Sequence, residues 1–146
     1  MQKPKFRVGL LGWGNAGRFF HTPLLQVDPG FELAAVSTRR AEVRDHLPGV
    51  QVVSDPEALF GNPDLDLIVV TSPHRFHAEH ARAALLAEKH VVVEKPLAET
   101  AREAQALIEI AAQANRKLFV FQNRRWDGDF LTVRRVIESK ALGDVY

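Results

Sequence analysis

The chain has 146 residues, with 19 Lys+Arg against 18 Asp+Glu for a net charge of +1, 46% hydrophobic and 25% charged residues, and no cysteine. That length suits one domain and little more, and the balance of apolar and charged residues excludes disorder as the main state. Lack of cysteine excludes disulfides, thiolate metal sites and a cysteine nucleophile, near-zero charge gives no global attraction to nucleic acid or acidic membranes, and no apolar run approaches the roughly 18–20 residues that span a bilayer.

The opening Met1-Gln2-Lys3-Pro4-Lys5 lacks the apolar core and small-residue cleavage site of a signal peptide, so a cytoplasmic location is the expectation. Short apolar β-type runs then alternate with longer helical patterns. The runs are Phe6–Leu11, Phe31–Val36, Gln51–Val53, Leu67–Thr71, Val91–Glu94 and Leu118–Gln122. A continuous run such as Leu67-Ile68-Val69-Val70 suits a strand covered on both faces, as in a parallel sheet. Helical patterns fall over 15–27, 40–46, 56–60 and 75–88. Pro23 kinks or interrupts the first of them, and Ala81, Ala84, Leu85 and Ala87 favour the last. Thr100, with Glu103 three residues on, makes a capping box. The helix it opens carries Ala104, Leu107, Ile108, Ala111 and Ala112 on one stripe and ends at Asn115. Asp127 or Asp129 caps a last helix through about Glu138, with Phe130, Val133, Val136 and Ile137 apolar. Asp144-Val145-Tyr146 reads as the first residues of a further strand. The expectation is a doubly wound, mostly parallel α/β sheet of the Rossmann type over residues 1–122. Residues 123–146 are expected to be a connecting helix and the start of a missing substrate domain. Right-handed crossovers bring the loops after the strands to one edge, where ligands bind.

Gly12-Trp13-Gly14-Asn15-Ala16-Gly17 is a G-x-G-x-x-G directly after a strand and at the start of a helix. Gly12 permits the tight turn, Gly14 lets a pyrophosphate approach the backbone, and Gly17 lets the helix pack on the strand. Amides at the helix start and the helix dipole favour the anion. An NAD enzyme usually has a carboxylate about 20 residues further on to take the ribose 2′-OH. Here that region is Ser37-Thr38-Arg39-Arg40, without one. A carboxylate repels a 2′-phosphate, whereas hydroxyls and guanidinium groups bind it, so NADP is favoured, with NAD as the alternative. The plainer reading of Arg39 and Arg40 is the solvated start of a helix.

Several further motifs follow in order: Phe20-His21-Thr22-Pro23-Leu24, Thr71-Ser72-Pro73-His74-Arg75-Phe76-His77, Glu94-Lys95-Pro96-Leu97-Ala98 and Asn123-Arg124-Arg125-Trp126-Asp127. With the glycine turn they resemble the amino-terminal domain of the Gfo/Idh/MocA oxidoreductases. Within that family they look most like the subgroup containing NADP-dependent scyllo-inositol dehydrogenases. The likeness covers essentially the whole chain. It implies a two-domain, commonly homo-oligomeric dehydrogenase that moves hydride between a sugar or polyol hydroxyl and the nicotinamide. This chain then corresponds to the cofactor-binding half, inert by itself.

By that resemblance Lys95 is the catalytic residue and also touches substrate and cofactor, because an ammonium there can polarise a carbonyl oxygen or stabilise an alkoxide. Pro96 follows a cis peptide bond in many relatives. Glu94 contacts cofactor or orients Lys95. Thr71, Ser72 and Pro73 line the cofactor path, and His77 hydrogen-bonds that loop from a helix start. Family members often carry asparagine where His74 stands. Asn123 passes under the nicotinamide, and Arg124, Arg125 and Trp126 begin the substrate wall, against a plainer reading as inter-domain ion pairs. Trp13 is expected to pack partly on the helix and partly to form a lip over the cofactor. His21 is read as a packing histidine in preference to a cleft residue. His74, His77 and His80, at i, i+3 and i+6, do not share one face, and no metal site is expected. The alternative function is a non-catalytic dinucleotide sensor, against which the retention of Lys95 argues.

Overall fold

The computed structural model describes residues 5–144. Six strands, β1 (Phe6–Leu11), β2 (Phe31–Ser37), β3 (Gln51–Val53), β4 (Leu67–Val70), β5 (His90–Glu94) and β6 (Leu118–Phe121), form one sheet in the order β3-β2-β1-β4-β5-β6. Every neighbouring pair is parallel. The helices are α1 (Thr22–Val27), α2 (Val43–His46), α3 (Glu57–Phe60), α4 (His77–Leu86), α5 (Ala101–Gln113) and α6 (Gly128–Glu138). All six expected strands are present, within a residue or so at their ends. The expected further strand at Asp144-Val145-Tyr146 lies largely outside the described residues. Among the described residues, no helix is long and apolar enough to cross a membrane.

Strands covered on both faces explain the unbroken apolar runs, and all four residues of β4 are buried. On one face Leu11, Ile68, Val70, Val91 and Val93 pack with Ala81, Ala84 and Leu85 of α4 and Leu107 and Ala111 of α5. On the other, Val8, Leu10, Val36 and Val69 pack with Leu25 of α1 and Val43 of α2. The capping box of α5 is formed: the Glu103 N–H donates to Thr100 Oγ1, and the Thr100 N–H donates to Glu103 Oε2. Asn115 closes that helix in the left-handed region at φ 52°.

Two elements depart from the sequence reading. The helix after the glycine turn begins as a π-helical segment, Ala16–His21, and becomes α-helical only at Thr22, with Pro23 in its first turn. The Thr22 N–H still donates to the Gly17 carbonyl five residues back, and Pro23, which has no N–H, cannot continue that π-helical bonding. The apolar stripe of α6 is not covered, since Phe130, Val133 and Ile137 are all exposed. Asp127 does stand at the N-cap of α6, but its carboxylate makes no cap; it accepts from Arg124 Nη1 at 2.6 Å.

Parallel register decides where the site lies. Leu11 is level with Ser37 and with Val70, and Val70 is level with Val93. Gly12, Thr38, Thr71 and Glu94 therefore leave their strands at one height along one edge. The chain order reverses between β1 and β4, and the edge opens there into a crevice.

Candidate functional site

That crevice is a cleft of about 1040 Å³ lined by Gly12, Gly14, Ala16, Ser37 to Arg40, Thr71 to His77, Glu94 and Lys95, among others. Its floor is the glycine turn. Gly12 has φ +109°, and a Cβ there would come within 2.7 Å of Thr71 Oγ1 and 2.8 Å of the Thr71 carbonyl oxygen. The Thr71 hydroxyl in turn faces the carbonyl oxygens of Leu11, at 3.0 Å, and Gly12, at 3.1 Å. The turn after β1 is thus bound to the turn after β4. Gly17 packs so tightly that a Cβ would overlap the Gly12 carbonyl oxygen. Gly14 is the opposite case, with open space where its Cβ would be. Arg18 N–H donates to the Gly14 carbonyl, and the amides ahead of it belong to the helix start, whose N–H groups lack intrahelical partners. Two crowded glycines around one open glycine, beside a helix start whose first amides lack intrahelical partners, fit a pyrophosphate.

Beyond the end of β2, Thr38, Arg39, Arg40 and Arg44 surround an adjoining recess with Ser54 and Asp55 from the end of β3. Arg40 makes an exposed ion pair with Glu42 at 3.7 Å. Among the described residues Arg39 has no ion-pair partner. Arg44 and Ser54 were missed by the sequence reading. Arg44 lies one helical turn after Arg40, and Ser54 follows the end of a strand, so both signals were present.

On the β4–β5 side, His77 is fully buried. Its Nδ1 lies 2.7 Å from the Pro96 carbonyl oxygen and its Nε2 2.8 Å from the Ser72 carbonyl oxygen. It therefore ties the loop after β4 to the loop after β5, where the Lys95–Pro96 bond is cis. His80 Nδ1 lies 2.9 Å from Ser72 Oγ. Burial pushes His80 below the ordinary histidine value. Glu94 Oε1 lies 3.0 Å from His21 Nε2, and Glu94 Oε2 accepts the Lys95 N–H at 3.2 Å. Lys95 is exposed at the mouth of the cleft.

Several expected site residues are placed otherwise. Trp13 lines the cleft with little of its surface, being 4% exposed, and otherwise packs in the cluster of Val8, Leu10, Leu25, Val36 and Val43. A large apolar ring gains more from that core than from a wet cleft edge, although its indole N–H finds no partner among the described residues. Asn15 is exposed at the turn. Asn123, Arg124, Arg125 and Trp126 form a 3₁₀ turn after β6 and do not line the cleft; Trp126 is 76% exposed. His21 is buried, as a packing histidine is, but its partner is the cleft carboxylate.

Residues 6–122 match the family model described as an oxidoreductase family with an NAD-binding Rossmann fold, so the chain belongs to the Gfo/Idh/MocA oxidoreductase family. It is 46% identical over 140 residues to the oxidoreductase YdgJ of Escherichia coli, covering 95% of this chain and 40% of the relative. It is 40% identical over 140 residues to IolW of Bacillus subtilis, an NADP(+) scyllo-inositol 2-dehydrogenase, covering 95% of this chain and 39% of that one. A crystal structure of a candidate oxidoreductase from Klebsiella pneumoniae superposes with a TM-score of 0.92 at 47% identity, over 97% of this chain and 41% of that one. The chain spans about two fifths of the length of the curated relatives it matches.

Proposed function

We propose that this chain is the cofactor-binding part of an NADP-dependent dehydrogenase acting on a polyol or sugar hydroxyl. The observation that carries the reading is the cleft itself. The open Gly14 beside the crowded Gly12, Arg39 and Arg40 beyond β2, and Lys95 beyond β5 all line one crevice at the switch point, with Arg44 in the recess adjoining it. The dinucleotide would lie with its pyrophosphate on Gly12 to Gly17, its adenylate towards Ser37 to Arg40, and its nicotinamide towards Thr71 to Pro73 and Glu94–Lys95.

When bound, the nicotinamide supplies hydride acceptance and donation at C4. The residues of this chain hold and polarise. Backbone amides of the glycine turn bind the phosphates. Arg39 and Arg40, with Arg44 beside them, bind the 2′-phosphate through charge-assisted bonds. Lys95 presents an ammonium to the substrate oxygen, where developing negative charge is stabilised. His77 fixes the two loops on which Ser72 and Lys95 stand. The NADP(+) specificity in the name of IolW supports the cofactor preference. Residues 123–146 serve as a connector to the further chain that the longer relatives have. Arg124, Arg125 and Trp126, exposed on it, contribute to the substrate wall once that chain is present.

Two experiments test this. NADP should raise the thermal unfolding temperature of the chain more than NAD does, because a ligand that binds only the folded state stabilises it by mass action. A version extended through the remaining length of its relatives should reduce NADP in the presence of inositols or related polyols. Protection by neither dinucleotide would contradict the cofactor assignment, and protection without turnover in the extended form would favour a sensor.

A further inference from the structure

His21 and Glu94 are 73 positions apart in sequence and form a pair at the nicotinamide end of the cleft. His21 ends the π-helical segment, which brings its ring inward, 4.2 Å between centroids from Phe121 of β6. Such segments interrupt α-helices at positions where side-chain direction matters. The side chains are 5% and 12% exposed, and His21 Nε2 lies 3.0 Å from Glu94 Oε1. The second carboxylate oxygen of Glu94 accepts the Lys95 N–H. Both oxygens are therefore occupied, one by a buried ring and one by the backbone of the neighbouring residue. Burial pushes His21 below its ordinary value, outweighing the upward pull of Glu94. In this pair the His21 ring N–H is the donor and the Glu94 carboxylate oxygen the acceptor.

We propose that His21 is a positioning residue: it fixes Glu94 as a single anionic group beside the nicotinamide and so sets the preference of the cleft for the oxidised cofactor, whose nicotinamide ring is cationic, over the reduced one, whose ring is neutral. This rests on the dinucleotide reading given above. The two forms of the cofactor share every phosphate and both riboses, so they differ towards the protein mainly by the charge and shape of one ring. A carboxylate held in a poorly hydrated position acts on that charge more strongly than one in bulk water. Without the His21 donor, the carboxylate loses one of its two fixed partners and turns towards solvent, and the discrimination is lost.

The test is the ratio of dissociation constants for NADPH and NADP⁺, measured by calorimetry at one pH and salt concentration on the wild-type chain, His21→Leu, His21→Gln and Glu94→Gln. In Glu94→Gln and His21→Leu the ratio should fall about fivefold, the effect of one fixed charge at short range. His21→Gln, whose amide can still donate, should keep most of it. Glu94→Gln keeps the shape of the side chain, so it decides the matter should His21→Leu fail to fold. A merely structural role for His21 would weaken both forms equally; an unchanged ratio in Glu94→Gln and His21→Leu overturns the inference while leaving the dinucleotide reading intact. A wild-type chain that binds neither form overturns both.

Discussion

Gly17 lies directly over the carbonyl oxygen of Gly12, so close that no side chain fits between them. The contact holds the first helix against the turn that leaves β1. Gly14, between them in sequence, meets nothing within 4 Å where a Cβ would stand. The same substitution should therefore fail differently at the two places. Gly17→Ala should lower stability by about 1–3 kcal/mol or more, as overpacking against backbone does. Gly14→Ala should leave the unfolding midpoint nearly unchanged and weaken dinucleotide binding. Denaturant unfolding and cofactor titration of both variants check this. Equal stability losses would show that Gly14 is needed for the turn and not for the ligand.

Cofactor choice follows from the guanidinium groups beyond β2. Replacing Arg39 and Arg40 together with Ala should weaken NADP at least about tenfold more than NAD, since only NADP carries the extra phosphate, and a charge-assisted bond is worth about 1.5–3 kcal/mol. Competitive binding of the two dinucleotides measures it. Equal losses would remove these arginines from the 2′-phosphate.

The histidines give stability a pH dependence of known sign. Burial holds His21 and His80 below their ordinary value of 6.5. In the unfolded chain they take up protons as pH falls through 6.5, while the folded protein does not until lower pH. Their contribution is thus fully present above 6.5 and is lost as pH falls towards the folded values. Urea unfolding at a series of pH values should show stability falling below pH 6.5, and His21→Gln should reduce that slope. A slope unaffected by the substitution would contradict the burial account of His21.

Lys89 provides a control away from the cleft. Its buried ammonium donates to the carbonyl oxygens of Asn62 at 2.7 Å and Leu65 at 2.8 Å, ahead of β4. Lys89→Met leaves both acceptors without that donor and should cost about 1–3 kcal/mol. It should not alter the relative affinity for NADP and NAD, which calorimetry on the folded variant would show.

The periodicity of apolar residues and the glycine spacing carried the sheet, the turn at Gly12 to Gly17 and the edge where the cleft opens. These are local patterns, and a parallel sheet converts them directly into position. Contacts between distant segments were not legible. Nothing in the sequence around His21 points to Glu94, because the π-helical segment that turns the ring inward has no compositional mark. Trp13 follows a glycine in a turn, and only the cluster of Val8, Leu25, Val36 and Val43 assembled around it decides that the ring is buried. The Asn123 to Trp126 segment has the residue types of a binding wall, yet its 3₁₀ turn stands outside the cleft.

The central claim is that a dinucleotide lies on the turn between β1 and the first helix. The direct measurement is a titration of NADP into isotopically labelled chain, followed by the backbone amide resonances. The account predicts saturable shifts at Gly12, Gly14, Asn15 and Gly17, with further shifts at Thr38 to Arg40 that NAD produces only weakly. Shifts confined to other surfaces, with those four amides unmoved at saturating NADP, would contradict it.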